Sequence, residues 1–171
     1  RHIPVRMLNL LWHRLGRPSL DLLTGQSFDV THSPHPLILP SRRAHTVVTI
    51  HDLFFFHHPE LTTAEIQRDY VALLRRHAAR ADAIISVSEA TAVDIERTLG
   101  VEQERVFIVP NGFDPAPYEP QPERDAAIAR KLGLPQSFIL SVATLEPRKN
   151  LPRLLEAVEL LLSKGWDGVL V

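Results

Sequence analysis

Two adjacent cations, Arg148 and Lys149, stand between an apolar segment and an amphipathic one. The short apolar segment 138–142 predicts a buried strand, and apolar residues recurring from Leu151 onward predict a helix with Asn150 at its N-cap. The first turn of such a helix leaves N–H groups unpaired and carries partial positive charge, so an anion there gains hydrogen bonds and a favourable dipole. The spacing predicts a phosphate site at this turn, with a solvated surface pair as the alternative.

Composition limits the class of protein. The chain has 171 residues with 44% hydrophobic content, which suits one domain or slightly more. It has neither an apolar run of the length that spans a membrane nor a signal-peptide pattern. The absence of cysteine excludes disulfides and thiolate metal sites and is compatible with a cytoplasmic location. A net charge of −1 argues against a general nucleic-acid binder.

The N-terminal segment is more basic than the rest, because residues 1–50 hold six Lys or Arg against two acids. The apolar side of a predicted helix is formed by Val5, Leu8, Leu11, Trp12 and Leu15. This pattern fits an ordinary packed helix, and it also fits a helix that lies on an anionic membrane. Peripheral contact with the inner face of the membrane is therefore a second expectation. Most histidines precede residue 59, but their spacing predicts no metal site.

Strand and helix patterns alternate along the chain. Predicted strands cover residues 30–33, 46–50, 83–87 and 105–109, and predicted helices cover 62–79 and the segment from a capping-box pattern at 86–89 to Gly100. Such alternation predicts an α/β fold with a Rossmann-like parallel sheet and crossover helices.

A proline-rich segment divides the chain. Five prolines fall between Pro110 and Pro122, which favours an extended connection and forbids a regular helix or central strand. We predict a first domain over residues 1–110, a linker with a short helix over 111–136, and the start of a second domain over 137–171. The second part holds only one βαβ unit, too little to bury a sheet, and the chain begins with Arg1. We therefore expect an internal fragment.

Four ordered motifs give the chain a family resemblance. They are TIHDL at 49–53, ISVS at 85–88, VPNGFD at 109–114 and ATLEPRKN at 143–150. In this order and spacing they resemble family 4 glycosyltransferases, and mannosyltransferase-like members in particular. The resemblance implies a GT-B fold with two facing Rossmann-like domains. It also implies transfer of a hexose, with mannose the favoured sugar, from a nucleotide diphosphate sugar to a hydroxyl of a glycan or lipid-linked acceptor.

The resemblance assigns a catalytic role to His51. The matching histidine of the family contacts the transferred sugar near the reacting centre, in the cleft between the domains. Asp52 would orient His51 or cap the following loop. Without the resemblance, His51 reads as a surface or capping histidine beside Asp52.

The resemblance also assigns the donor site. Arg148 and Lys149 match the basic positions that hold the donor diphosphate, with Asn150 in support, and Thr144 stands where many relatives have arginine. Side-chain cations would replace a divalent ion, so the expected reaction is metal-independent, needs no cofactor, and retains the anomeric configuration by front-side attack. The glycine-rich loop and the paired glutamates of the family are missing, so the fragment alone is expected to be inactive. The alternative is a non-catalytic Rossmann-like module that binds a phosphorylated ligand or a partner.

Overall fold

The structure, a computed structural model, describes residues 5–64 and 66–171. The chain divides into two compact units, an N-terminal unit Arg1–Gly112 and a C-terminal unit Phe113–Val171. The helices of the N-terminal unit are α1 (Val5–Leu15), α2 (Leu20–Thr24), α3 (Phe54–His57), α4 (Val71–Arg80) and α5 (Glu89–Leu99). Its strands are β1 (Val30–Ser33), β2 (His45–Ile50), β3 (Ala83–Ser86) and β4 (Val106–Ile108).

The four strands form one parallel sheet in the order β1-β2-β3-β4. Helix α4 lies between β2 and β3 in the chain, and α5 lies between β3 and β4, whereas β1 and β2 are joined by the loop 34–44, which contains no regular helix. The predicted α/β class with a parallel sheet is confirmed. Because all strands run the same way, their carboxyl ends lie at one edge of the sheet, where open α/β folds bind ligands.

The core of the N-terminal unit lies where α4 and α5 cover the central strands. Its fully or almost fully buried apolar side chains are Val48, Ile50, Leu53, Leu74, Ala78, Ala81, Ile84 and Ile95. Leu74 of α4 is fully buried. Removing a Val, Leu or Ile side chain from water contributes about 1.5–3 kcal/mol, so the larger side chains of this cluster hold α4 and α5 against β2 and β3.

Helix α4 starts later than predicted. The predicted helix 62–79 is preceded by a separate single turn, Pro59–Leu61, and a π-helical turn, Ile66–Tyr70, leads into α4. Both the N–H and the hydroxyl of Thr62 donate to the carbonyl of Pro59, at 3.1 and 2.9 Å. Thr62 therefore ends the earlier turn and does not begin the long helix.

Helix α5 is capped at both ends. The hydroxyl of Ser88 accepts from the N–H of Thr91 at 3.2 Å, and Gly100 ends the helix with a left-handed φ of 67°. The predicted stop at Gly100 is confirmed. The capping-box assignment to Ser86 is wrong, because Ser86 pairs with Ile108 in the sheet and its hydroxyl donates to the carbonyl of Ser88.

The C-terminal unit contains helix α6 (Pro122–Leu132), strand β5 (Phe138–Ile139), helix α7 (Leu151–Ser163) and strand β6 (Val169–Leu170), and the two strands pair in parallel. Gly133 ends α6 with a left-handed φ of 64°. The predicted strand 138–142 is shorter in the structure. Beyond β5, the N–H of Ser141 donates to the carbonyl of Val171 at 2.9 Å, so hydrogen bonding between the two segments continues past Ile139.

Helix α1 is tied to the N-terminal unit by two hydrogen bonds. The indole N–H of Trp12 donates to the carbonyl of Pro18 at 2.7 Å, and Arg76 donates to the carbonyl of His13 at 2.7 Å. The side chain of Leu15 is 67% exposed and does not join the predicted apolar face. Among the described helices, none is long and apolar enough to cross a bilayer.

Candidate functional site

His51 follows β2 directly, at the carboxyl edge of the sheet, and is exposed. Its Nε2 lies 3.2 Å from the carbonyl oxygen of Pro34. A carbonyl oxygen can only accept, so Nε2 carries the proton in the neutral ring and Nδ1 is left as an acceptor. The backbone carbonyl of His51 in turn accepts from the Thr91 hydroxyl at 3.3 Å. His51 is thus held between the β1–β2 loop and the first turn of α5.

Asp52 does not serve as the partner of the His51 ring. One of its carboxylate oxygens accepts from the N–H of Phe54 at 3.1 Å, which closes a tight turn into α3. Of the two roles expected for Asp52, the structure shows the capping of the following loop. The carbonyl of Pro34 holds the imidazole of His51 instead.

Two further histidines make hydrogen bonds within β1, β2 and the loop that joins them, and neither was among the predicted site residues. His32 on β1 bonds through Nε2 to the hydroxyl of Thr49 at 2.9 Å. The Nδ1 of His77, on α4, accepts from the backbone N–H of Ile38 at 2.8 Å, so this ring anchors the β1–β2 loop. His77 follows Leu74 by three residues, which places both side chains on the buried side of α4. This spacing in the sequence could have indicated a buried histidine.

Burial of His77 lowers its pKa from 6.5 to about 4, and the nearby positive charge of Arg76 adds to the shift. The ring is therefore neutral near pH 7, as the hydrogen bond that Nδ1 accepts from Ile38 requires. The loop that holds the ring of His51 through Pro34 is thus held at a second point by His77.

The predicted donor-site residues lie in the C-terminal unit, in the segment between β5 and α7. Pro147–Lys149 forms a single 3₁₀ turn between β5 and α7, and Thr144, Arg148 and Lys149 are all exposed. The turn is closed by hydrogen bonds from the N–H groups of Lys149 and Asn150 to the carbonyls of Glu146 and Pro147, each 3.0 Å long. Exposure and closure of the turn together present the two cations to solvent.

The start of α7 offers fewer anion-binding donors than predicted. Asn150 occupies the N-cap position as expected, but its backbone is left-handed, with a φ of 50°, and its side chain makes no capping hydrogen bond. Pro152 has no N–H, and the N–H groups of Arg153 and Leu154 already donate to the carbonyl of Asn150 at 3.1 and 3.3 Å. Side-chain charge, more than the helix terminus, must therefore attract an anion here.

A carboxylate lies among the cations. The Nε of Arg148 donates to Glu146 at 2.5 Å. This hydrogen bond lowers the pKa of Glu146, and the hydroxyl of Thr144 and the charges of Arg148 and Lys149 lower it further. Glu146 stands two residues before Arg148 and was not among the predicted site residues.

Over residues 5–64 and 66–171, no group of three or more His, Asp or Glu side chains is arranged to hold a metal ion. This finding does not test whether the reaction needs a metal, so the expectation of a metal-independent reaction stays a prediction.

Comparison with known proteins identifies the family. The sequence model of Glycosyltransferase Family 4 matches residues 2–117. The serotype-specific mannosyltransferase WbdA of Escherichia coli is 36% identical over 84 residues, which are 48% of this chain and 10% of that protein. The O-antigen chain mannosyltransferase B of Escherichia coli is 28% identical over 133 residues, which are 77% of this chain and 35% of that protein.

The chain thus spans about a tenth and about a third of the lengths of these two relatives. The family match ends before the turn that carries Arg148 and Lys149, but it includes the whole parallel sheet and His51. The family match covers more than half of the residues of the chain, and the chain therefore belongs to Glycosyltransferase Family 4.

Proposed function

We propose that the protein transfers a hexose, with mannose the favoured sugar, from a nucleotide diphosphate sugar to a hydroxyl of a glycan or lipid-linked acceptor, with retention of configuration. The observation that carries this proposal is the family match over residues 2–117. Two similar proteins are named as mannosyltransferases, and one of these names refers to the O-antigen chain, which supports the choice of sugar and acceptor.

In the proposed reaction, the bond between the anomeric carbon and the diphosphate oxygen breaks, and the electron pair leaves with the diphosphate. The acceptor oxygen forms the new bond on the same face of the sugar, and its proton passes to the leaving phosphate. Negative charge grows on the diphosphate in the transition state, so Arg148 and Lys149 act by stabilising that charge. No metal or other cofactor takes part in this scheme.

The role proposed for His51 follows from its hydrogen bond. With Nε2–H fixed on the carbonyl of Pro34, the ring can offer only Nδ1, as an acceptor. We assign to Nδ1 a hydrogen bond from a hydroxyl of the transferred sugar. A bond of this kind that tightens in the transition state is worth about 1.5 kcal/mol, or roughly tenfold in rate.

The test uses the protein at its full natural length. Transfer is measured from uridine and guanosine diphosphate hexoses to a mannose-terminated oligosaccharide, and the anomeric configuration of the product is read by NMR. Lys149→Ala should weaken the binding of the nucleoside diphosphate about tenfold, as expected for the loss of one charged hydrogen-bond donor. Lys164→Ala is the matched control, because Lys164 is an exposed lysine at the opposite end of α7.

Equal affinity of the Lys149→Ala variant and the wild type would contradict the diphosphate role. Tight binding of a nucleoside diphosphate without any transfer would instead favour the non-catalytic module. A product of inverted configuration would refute the retaining mechanism while leaving the transfer itself in place.

Contact with anionic lipid is a separate part of the proposal, and it rests on the basic segment 1–50. The protein should sediment with vesicles that contain phosphatidylserine more than with pure phosphatidylcholine vesicles, and the difference should vanish at high salt. Equal sedimentation with both kinds of vesicle would remove lipid contact, and with it the support for a position at the inner membrane face.

A further inference from the structure

One of the residues proposed to hold the donor diphosphate already pairs with an anion. Arg148 donates through Nε to the carboxylate of Glu146 at 2.5 Å. Thr144 and Lys149, the other two predicted ligands, belong to the same short segment, 144–149. The negative charge of Glu146 thus lies on one of the predicted ligands of a diphosphate.

The backbone of the turn fixes Glu146 in this position. Its N–H donates to the carbonyl of Thr144 at 2.8 Å, and its carbonyl accepts from the N–H of Lys149 at 3.0 Å. The backbone of Glu146 is therefore hydrogen-bonded both to Thr144 and to Lys149. A different rotamer would free Arg148 without any change in the turn itself.

Carboxylate and phosphate oxygens use the same donors. Both accept charge-assisted hydrogen bonds from a guanidinium group and a hydroxyl, so they cannot occupy one set of donors together. A diphosphate carries more negative charge than one carboxylate, so it can displace Glu146. Displacement of Glu146 costs the same free energy for every anion that uses Arg148, so it weakens the binding of each by the same factor.

We propose that Glu146 is an internal counter-ion of the donor site, which pairs with Arg148 in the absence of the donor and is displaced by the diphosphate of the donor. The inference rests on the proposed function, since it names a nucleoside diphosphate as the ligand. Its consequence is a site that binds the diphosphate less tightly than the cations alone would, and from which the nucleoside diphosphate product leaves readily.

The experiment is calorimetric titration of the protein at its full natural length with uridine and guanosine diphosphates and the corresponding monophosphates. Glu146→Gln should bind the better diphosphate about two- to fivefold more tightly, the range expected for removing an exposed competing ion pair. The same variant should gain the same factor for the monophosphate, because displacement of Glu146 costs the same free energy for both ligands. Glu146→Ala should behave alike, and circular dichroism checks that both variants are folded.

Glu156→Gln is the matched control. Glu156 is also exposed, lies in the same unit, and is paired with an arginine, because Arg153 donates to it at 2.6 Å on α7. Its substitution should leave the affinity for both nucleotides unchanged. An equal gain in this variant would show that general charge, and not displacement at the turn, controls binding, and would overturn the inference.

The remaining outcomes separate the inference from the proposed function. Unchanged or weaker diphosphate binding by Glu146→Gln, while Lys149→Ala still loses affinity, would refute the counter-ion role alone. A wild-type protein that binds no nucleoside diphosphate would refute the proposed function, and the inference would fail with it.

Discussion

Acidification should destabilise the N-terminal unit through one buried histidine. His77 is only 4% exposed, and its Nδ1 accepts a hydrogen bond from the N–H of Ile38 at 2.8 Å. Protonation of the neutral ring would place a proton on Nδ1, where it would meet the N–H of Ile38 and break this hydrogen bond. Burial first, and then the charges of Arg76, His13 and Arg80, lower the pKa of His77 to about 4 from an ordinary value of 6.5.

The sign of the effect follows from the lowered pKa. The unfolded chain takes up a proton near pH 6.5 and the folded chain only near pH 4, so the stabilisation is complete above pH 6.5 and is lost as the pH falls toward 4. Between pH 7.5 and 5.0, this linkage removes about 2 kcal/mol from the free energy of unfolding. Below pH 4 the total loss reaches about 3 kcal/mol.

Urea unfolding at the two pH values measures this loss. A Trp166→Phe background leaves Trp12 as the tryptophan reporter, and Trp12 lies in the N-terminal unit. His77→Asn removes the titration but keeps a side-chain oxygen that can accept from Ile38. With a slope of about 2 kcal/mol per molar urea, the wild-type midpoint should fall by roughly 1 M more than that of the variant.

His35→Asn is the control, because His35 is exposed and its substitution should leave the wild-type pH dependence in place. If the urea midpoints of the wild type and of His77→Asn fell equally between pH 7.5 and 5.0, the role of His77 would be refuted. An NMR titration that finds the pKa of the buried imidazole of His77 near 6.5 would refute it as well, since no linkage would then remain.

Two further substitutions test the fold. Leu74→Ala should lower the free energy of unfolding by about 3 kcal/mol, because Leu74 is fully buried and a cavity would remain in the core, and a loss under 1 kcal/mol in urea titration would contradict this. Ser88→Ala should cost about 1 kcal/mol, since the N–H of Thr91 loses its capping acceptor at the start of α5, and an unchanged midpoint in the same assay would show that solvent replaces the cap.

The sequence located the regular elements well where local chemistry decides their ends. The strand 30–33 matches β1, and the predicted helix stop at Gly100 is observed with a left-handed glycine. The start of α4 was predicted less well. The segment from residue 62 was predicted as one helix, but the N–H and the hydroxyl of Thr62 both donate to the carbonyl of Pro59 and close a separate turn there.

Local signals can also compete, as they do before α5. Ser86 and Ser88 both precede the helix, and the sequence pattern with Glu89 favours Ser86 as the cap. Pairing of Ser86 with Ile108 in β4 keeps Ser86 in the sheet, so Ser88 becomes the first residue free to cap. Sheet register, which is a tertiary property, decided between two residues of the same type.

In the candidate site, the sequence predicted where residues lie but not what they bond to. Chain order placed His51 after a strand and the two cations before a helix, but the chemistry of each group depends on what it is bonded to. Because the carbonyl of Pro34 binds Nε2–H, the ring of His51 can serve a ligand only as an acceptor, and Asp52 is left to shape the backbone of the next turn. A sequence pattern that pairs a histidine with the following aspartate points to the wrong partner here. The residue that sets the proton on His51 lies 17 positions earlier, in the loop that His77 anchors.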